Sequence, residues 1–164
     1  MFYNKVEIQI FVMFLATLWT ISDISKQNHN NANQLQKIEQ ITVVDGDTIK
    51  GVINNQIIKI RLSNIDCFEN KVNQRAYWQA EIYNKSLSEV LKTGNESKTI
   101  LLNLLKNEKD NIYVTLKGLD KFKRTLGKIY IISDKKKLNV NQYMLEYGKC
   151  VPYKPKPQSW KLIK

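Results

Sequence analysis

Two segments decide the fold of this chain, VVDGDTIK (residues 43–50) and IRLSNIDCFE (residues 60–69). The first contains the end of a β-branched run over residues 41–44, which stops at Asp45-Gly46. A second β-like run over residues 48–53 follows at once. Asp-Gly between two such runs is a strong signal for a β-hairpin, so this stretch predicts two antiparallel strands.

The second segment contains the end of a third predicted strand. Asn54-Asn55 marks a further turn, and residues 57–62 then alternate apolar side chains with Lys59 and Arg61. This period of two places the apolar side chains on one face of the strand. Three short strands in a meander predict a small β-barrel.

The remainder of the chain adds helices and two more strands. The apolar spacing predicts a helix over residues 73–92 that is closed by Gly94, and Ser97 is a plausible N-cap of a second helix. A last helix is expected from Asn139 to Gly148, with strands over 112–116 and 126–132. The expected fold is α+β and mainly β: a five-stranded OB-fold β-barrel with about three to four helices.

The N-terminal segment differs in composition from the rest. Residues 8–21 are an apolar run that is short for a membrane span and suits a secretory signal, although an uncleaved tether or a buried helix is also consistent with it. The polar, Asn-rich stretch that follows predicts a linker. The expected organisation is therefore a signal peptide or anchor, a linker, an OB-fold domain and a basic tail, at residues 1–22, 23–38, 39–155 and 156–164. An exported protein is expected.

Charge favours a polyanionic partner. The net charge is +11, of which residues 1–38 carry +1 and residues 39–164 carry +10. Nucleic acid or an anionic surface would suit such an excess, although a solubilising coat of lysines is an open alternative. Only Arg61, Arg75 and Arg124 are arginines. Because Arg grips two phosphate oxygens at once whereas Lys is a point charge, each Arg in so Lys-rich a chain calls for a reason.

The scarce residue types exclude several chemistries. The single histidine, His29, lies in the Asn-rich linker, so a histidine general base in the folded part is excluded. The two cysteines, Cys67 and Cys150, form no Cys-x-x-Cys or Cys/His cluster, which argues against zinc. Whether they pair with each other is left open. Any hydrolysis must use carboxylates, a metal or a hydroxyl.

The carboxylates and arginines of these motifs could together catalyse hydrolysis. Phosphodiester cleavage without histidine needs a hard cation held by carboxylates, a group that positions water, and cations for the developing charge. Asp47 and Asp66 could supply metal ligands, and Glu69 could orient the water. Arg61 and Arg124 could clamp the phosphate.

These motifs resemble the staphylococcal nuclease (thermonuclease) family. VVDGDTIK, IRLSNIDCFE, DKFKRTLGKIYI (120–131) and YGKCVPYKP (147–155) follow one another in the family's order, and the resemblance covers about residues 39–155. It implies an OB barrel and a calcium-dependent nuclease that acts on DNA, RNA or both. Ca²⁺ is therefore expected in preference to Mg²⁺.

The resemblance also implies residue roles. By position, the calcium ligands of the family correspond to the side chains of Asp47 and Asp66 and to the backbone carbonyl of Cys67. Asp45 corresponds to an acidic residue that lies beside the metal without binding it directly. Glu69 matches the general base or water-orienting carboxylate. The remaining matches are two phosphate-binding arginines, Arg61 and Arg124, and two nucleotide-contacting residues, Lys121 and Tyr153.

The chain departs from the family pattern in three places. Phe68 stands where the family usually has proline, and Val151 where some members have a second tyrosine. The helical segment 73–92 is additional, and it could shape substrate access. Arg75 lies on it, outside every motif, and is expected to have no role in the site.

A nuclease is the leading functional interpretation. A non-catalytic OB-fold module that binds nucleic acid or a protein is the alternative, and a membrane-tethered structural protein is a third possibility that rests on the N-terminus alone. The expected partner is a DNA or RNA substrate, with a possible membrane tether through residues 8–21. No protein partner is implied, and a monomer is expected.

Overall fold

The computed structural model describes residues 34–134, 136–155 and 157. One compact unit begins at Leu35. The predicted signal or anchor lies outside the described residues, as do most of the linker and all of the basic tail except Pro157. Residues 35–37, which the sequence assigned to the linker, form a strand, and Ile38 is fully buried in the core.

The described part of the chain contains nine strands in two sheets. In chain order they are β1 (Leu35–Lys37), β2 (Glu39–Asp45), β3 (Thr48–Ile53), β4 (Gln56–Leu62), β5 (Ile65–Asp66), β6 (Ile112–Leu119), β7 (Thr125–Ser133), β8 (Lys136–Asn139) and β9 (Val151–Pro152). The large sheet has the order β1-β6-β7-β4-β3-β2, with β8 paired to β7. Its pairs are antiparallel except for β4 with β7.

The mixed, mainly β class is confirmed, whereas the closed five-stranded barrel is not. Among the described strands, β1 and β2 lie at the two ends of the hydrogen-bonded order, and no ladder joins them. β5 and β9 pair separately as a small two-stranded sheet.

Tight turns set the register of β2, β3 and β4 as expected. Asp45 pairs with Thr48, so Gly46 and Asp47 form a two-residue turn. Asn54 and Asn55 join β3 to β4 with φ of 50° and 62°. Positive φ at both central residues is the hairpin geometry that Asn tolerates better than most side chains.

Three helices complete the described fold, α1 (Gln74–Ile82), α2 (Leu87–Lys106) and α3 (Val140–Glu146). The predicted boundaries of the first two are wrong. Ser86 starts α2 through a capping box with Glu89, which breaks the expected 73–92 helix and is a signal that the sequence contains. None of the three has both the length and the apolar character that a membrane-spanning helix needs.

Gly94 and Ser97 lie inside α2 and neither ends nor begins a helix. Gly94 is buried, and a Cβ there would collide with the backbone carbonyls of Phe68 and Glu69. Ser97 is buried too, and its Cβ would lie 2.8 Å from a Cβ added to Gly46. Small residues at these positions therefore allow α2 to approach both the 46–47 turn and the 66–69 segment closely.

One core fills the space between the large sheet, α2 and α3. Its fully buried members come from the inward faces of the strands, from the residue between β1 and β2, and from the two helices; they include Ile38, Ile49, Ile60, Leu101, Ile112, Val114, Ile129 and Met144. A second cluster, of Phe68, Ala76 and Val90, packs α1 and α2 over the 66–69 segment. Cys67 belongs to the first cluster and Phe68 to the second, so both clusters contribute to holding that segment.

A disulfide joins Cys67 to Cys150, so the question that the sequence left open is answered by the fold. Their Cα atoms are 4.1 Å apart and 83 residues separate them. β5 pairs with β9 directly beside the bond, through Asp66 and Val151. The backbone N–H of Tyr153 donates to the carbonyl of Asn64 at 3.1 Å. The C-terminal segment is thereby fixed against the 66–69 segment.

Reduction of this disulfide is expected to lower the free energy of unfolding by about 2–4 kcal/mol, because a long loop gains entropy in the unfolded chain. Denaturant titration with and without reductant measures the change. A Cys67→Ser/Cys150→Ser double variant is the control and should not respond to reductant. Two free thiols in the denatured, unreduced protein would contradict the pairing.

Candidate active site

Asp47 occupies the β2–β3 turn and is almost fully buried, with 2% of its surface exposed. Its Oδ2 accepts the backbone N–H of Cys67 at 2.9 Å, and its Oδ1 accepts from the Thr48 hydroxyl at 3.0 Å and from Arg61. The side chain of Asp45 accepts the N–H of Asp47 at 3.1 Å. One carboxylate therefore ties the turn to β4 and to the 66–69 segment.

Burial raises the pKa of Asp47 to about 7, even though Arg61 lowers it. The carboxylates of Asp45 and Asp66 raise this pKa further, and the N–H of Cys67 lowers it. The negative charge on Asp47 is thus only partly compensated by the surrounding protein.

Arg61 bridges the two aspartates from the middle of the site. Its Nη1 donates to Asp47 Oδ1 and its Nη2 donates to Asp66 Oδ1 at 2.8 Å. Burial disfavours its charge, but the two carboxylates outweigh that effect and raise the pKa of Arg61. The arginine is held rigidly in its charged form.

Asp66 at the end of β5 is buried, and it also accepts hydrogen bonds from two side chains of α1. Its Oδ2 accepts from Arg75 Nη2 at 2.6 Å and from Gln79 Nε2 at 3.0 Å. Gln79 is fully buried and donates in addition to the Cys67 carbonyl at 3.1 Å. The carbonyl expected to act as a metal ligand is therefore also a hydrogen-bond acceptor.

Glu69 is positioned by both its backbone and its side chain. Its N–H donates to Gln79 Oε1 at 2.9 Å, and its Oε2 accepts from Asn73 Nδ2 at 2.8 Å. Phe68, at the position where the resemblance implies a proline, is buried and packs edge-on against Tyr83 at 5.3 Å between centroids. Packing and the Gln79 amide hold this segment where a proline would restrict the backbone directly.

Arg124 lies at the end of the β6–β7 loop, paired with Asp120. Its Nε and Nη2 both contact Asp120 Oδ2 at 2.7 Å. Burial opposes ionisation of Asp120, but the N–H groups of Arg124 and Phe122 and the Arg124 guanidinium lower its pKa. The same loop exposes Lys121 and Phe122 to solvent.

A cavity of about 780 Å³ lies beside these side chains. Five of the residues predicted for the site contribute to it, namely Arg61, Glu69, Lys121, Arg124 and Tyr153. Gln74, Arg75, Phe122 and Pro157 complete the lining. Asp45, Asp47 and Asp66 are absent from this lining, and Arg61 connects the cavity to Asp47 and Asp66.

The expectation that Arg75 has no role in the site is wrong, since it contacts Asp66 and lines the cavity. Sequence reasoning also missed Asn73 and Gln79. The scarcity of arginine, which had singled out Arg61 and Arg124, was a usable signal for Arg75. No comparable signal marked Asn73 or Gln79, because their partners are set by how α1 packs.

The donor chemistry of the site fits a hard divalent cation. Asp47, Asp66 and the Cys67 carbonyl offer only oxygen ligands, which suit Ca²⁺ or Mg²⁺. The raised pKa of Asp47 marks a buried charge that a cation would compensate. Within the described residues, no three His, Cys, Asp or Glu side chains already converge as a metal cluster. A cation would therefore share the two aspartates with Arg61.

Comparison with known proteins agrees with this geometry. A model of the family described as "Staphylococcal nuclease homologue" matches residues 59–161, more than half of the chain. Proteins described as "Uncharacterized endonuclease" from Escherichia coli O157:H7 and from Escherichia coli are each 28% identical over 113 residues. That alignment covers 69% of this chain and 58% of each relative, so the chain spans less than two thirds of their length.

The family match begins after Asp45 and Asp47, but Asp47 contacts Arg61 within the matched span, and its N–H donates to Asp45. The matched span includes the other residues named for the site: Arg61, Asp66, Cys67, Glu69, Lys121, Arg124 and Tyr153. With more than half of its length matched, the chain belongs to the staphylococcal nuclease homologue family.

Proposed function

We propose that this protein is a calcium-dependent nuclease that hydrolyses phosphodiester bonds of DNA, RNA or both. One observation carries the proposal: Arg61, Glu69 and Arg124, from separate segments of the chain, line the same cavity beside two buried aspartates. Cations, a carboxylate and a candidate metal site in one cavity are the parts that this hydrolysis needs.

The proposed mechanism assigns one task to each side chain. Glu69, held by Asn73, takes a proton from the attacking water as a new P–O bond forms, and the bond to the leaving oxygen breaks as that oxygen takes up a proton from solvent. Arg61 and Arg124 stabilise the negative charge that grows on the phosphate oxygens. Ca²⁺ held by Asp47, Asp66 and the Cys67 carbonyl, with Asp45 behind it, would supply further positive charge and orient the phosphate. Lys121 and Tyr153 are proposed to hold neighbouring nucleotides.

Two further features belong to this proposal. The disulfide supports export, because such bonds persist in oxidising compartments and are rare in the cytosol.

A closed OB barrel is supported by the chain path. β1 and β2 lie at opposite ends of the sheet order, yet only Ile38 separates them in the sequence.

A plasmid-nicking assay with and without a chelator tests the function. The full chain should convert supercoiled to relaxed and linear DNA when Ca²⁺ is present, and a chelator should stop the conversion. Binding of DNA without any cleavage in Ca²⁺ would instead support the non-catalytic nucleic-acid-binding alternative.

Calcium affinity is expected to be about tenfold weaker at pH 6 than at pH 8. Because burial raises the pKa of Asp47 to about 7, this carboxyl is mostly protonated at pH 6 and must lose a proton before it can bind a cation. Isothermal titration calorimetry across this range measures the effect. An Asp110→Asn variant, altered at an exposed carboxylate, should show the wild-type profile. Equal affinity at both pH values would contradict the raised pKa of Asp47.

A further inference from the structure

Helix α1 holds the 66–69 segment through one set of side chains. Asn73 donates to Glu69 Oε2 at 2.8 Å, and Gln79 contacts Asp66, Cys67 and Glu69. Arg75 differs from Asn73 and Gln79 in that it also lines the cavity. The helix therefore contributes a cation to the space in which a substrate would lie.

Arg75 keeps part of its guanidinium available for a ligand. Its Nη2 donates to Asp66 Oδ2 at 2.6 Å and to the Lys154 carbonyl at 3.3 Å. Among the described residues, these are its hydrogen bonds, so the N–H groups on Nη1 and Nε stay available. The side chain is 21% exposed.

Two aromatic rings fix the position of this guanidinium. Its Cζ lies 4.5 Å from the centroid of the buried Trp78 ring and 5.8 Å from that of Tyr153. Such cation–π contacts, together with the Asp66 ion pair, order a side chain that would otherwise lose rotamer entropy on binding. The arginine is already held in place before any ligand arrives.

The cavity has a mainly cationic lining. Its lining has three arginines and Lys121 as cations, and Glu69 as the acid. Arg61 is paired with two aspartates and Arg124 with Asp120, whereas Arg75 shares Asp66 with Arg61 and Gln79. Arg75 thus presents a guanidinium to the cavity on its α1 side, while its acidic partner Asp66 lies outside the lining.

We propose that Arg75 is a third phosphate-binding arginine, which positions Asp66 and contacts a backbone phosphate of the bound strand next to the one that is cut. This inference rests on the proposed nuclease function and identifies the substrate class more closely. A nucleic-acid strand with adjacent phosphates should bind better than a single phosphodiester.

Salt-dependent binding of a fluorescein-labelled, single-stranded phosphorothioate hexanucleotide, measured by anisotropy in chelator, tests the contact. Loss of one phosphate contact on a single strand should lower the slope of log K against log salt by about 0.7. Arg75→Gln should show that loss and weaker binding, while Arg75→Lys keeps the slope. Lys92→Gln, at an exposed position outside the cavity lining, is the control and should behave as wild type.

A purely structural role for Arg75 would leave the salt slope of Arg75→Gln at the wild-type value, and this result would overturn the proposal. Should that variant fail to fold, phenylglyoxal labelling of the wild-type protein decides instead. Bound hexanucleotide should protect Arg75 from modification, and unchanged labelling of Arg75 counts against the contact.

Separate hydrolysis assays distinguish this inference from the proposed function. Plasmid cleavage by the wild type together with an unchanged slope in Arg75→Gln rejects only the arginine contact. A reduced slope in a protein that never cleaves DNA in Ca²⁺ supports the contact and rejects the nuclease. In an active protein, Arg75→Gln should raise KM for an unmodified hexanucleotide more than KM for a single phosphodiester.

Discussion

Asp47→Asn is expected to lower the rate of calcium-dependent hydrolysis by at least roughly 1,000-fold. A metal ion supplies several kcal/mol of stabilisation to the charge of the transition state, and each 1.4 kcal/mol is about tenfold in rate. Asn keeps the shape of the side chain but lacks the charge that holds the cation. Single-turnover assays at saturating substrate, with Ca²⁺ varied, measure the loss.

The stability of this variant has to be measured beside its activity. Asp47 accepts from Arg61, from Thr48 and from the Cys67 N–H, and an amide has only one oxygen to offer them. The lost acceptor should cost about 1–3 kcal/mol of folding free energy. Alanine would remove all three contacts, so Asn is the better test.

The control for Asp47→Asn is the same exchange at an exposed carboxylate, Asp110→Asn, which should leave the rate unchanged. Assays run well below the melting temperature of each variant separate unfolding from lost chemistry. Retention of most of the calcium-dependent rate by folded Asp47→Asn would contradict its assignment as a metal ligand.

Arg124→Lys and Arg61→Lys are each expected to lower kcat by about 10²–10³, the typical effect of losing one donor to a developing oxyanion. Lysine keeps the charge but loses the planar fork that grips two oxygens. Because the contact should strengthen in the transition state, kcat should fall more than KM rises. Steady-state kinetics on a defined oligonucleotide give both values.

Arg124 provides the cleaner of these two tests. Its side chain is 37% exposed and pairs only with Asp120 among the described residues, whereas Arg61 is buried between two aspartates. Arg61→Lys should therefore also lower stability. Thermal denaturation of both variants shows how much of each effect is structural.

No arginine can serve as the control here, because all three line the cavity. Lys92→Arg makes the reverse exchange at an exposed position outside it and should leave kcat unchanged. If Arg124→Lys is as active as Lys92→Arg, the phosphate-clamp role is wrong and this arginine only holds its loop.

Local sequence signals located most of the candidate site. Asp47 was expected at a turn and Asp66 near the end of the third strand, and both lie beside Arg61 in the fold. Turns depend on a few neighbouring residues, as the Gly46-Asp47 and Asn54-Asn55 pairs show. The period of two along a strand predicted that Arg61 lies on the face of β4 opposite the apolar side chains, but not that it is buried there.

Helix boundaries were predicted less well because two local signals competed with packing. Gly94 resembled a helix end, yet it is an interior position where α2 lies against the carbonyls of the 66–69 segment. Ser97 resembled a cap, yet its hydroxyl donates within α2 to the Thr93 carbonyl at 3.0 Å. The capping box of Ser86 and Glu89 was the signal that decided the start of α2.

The sequence by itself determined the family, the hairpins and the residue types of the site, because motif spacing and turn chemistry act over short stretches of chain. Only the tertiary structure decided that Cys67 pairs with Cys150 across 83 residues and that α1 directs Arg75 and Gln79 at Asp66. These contacts depend on how the elements pack, since residues far apart in the chain meet only after the core has formed.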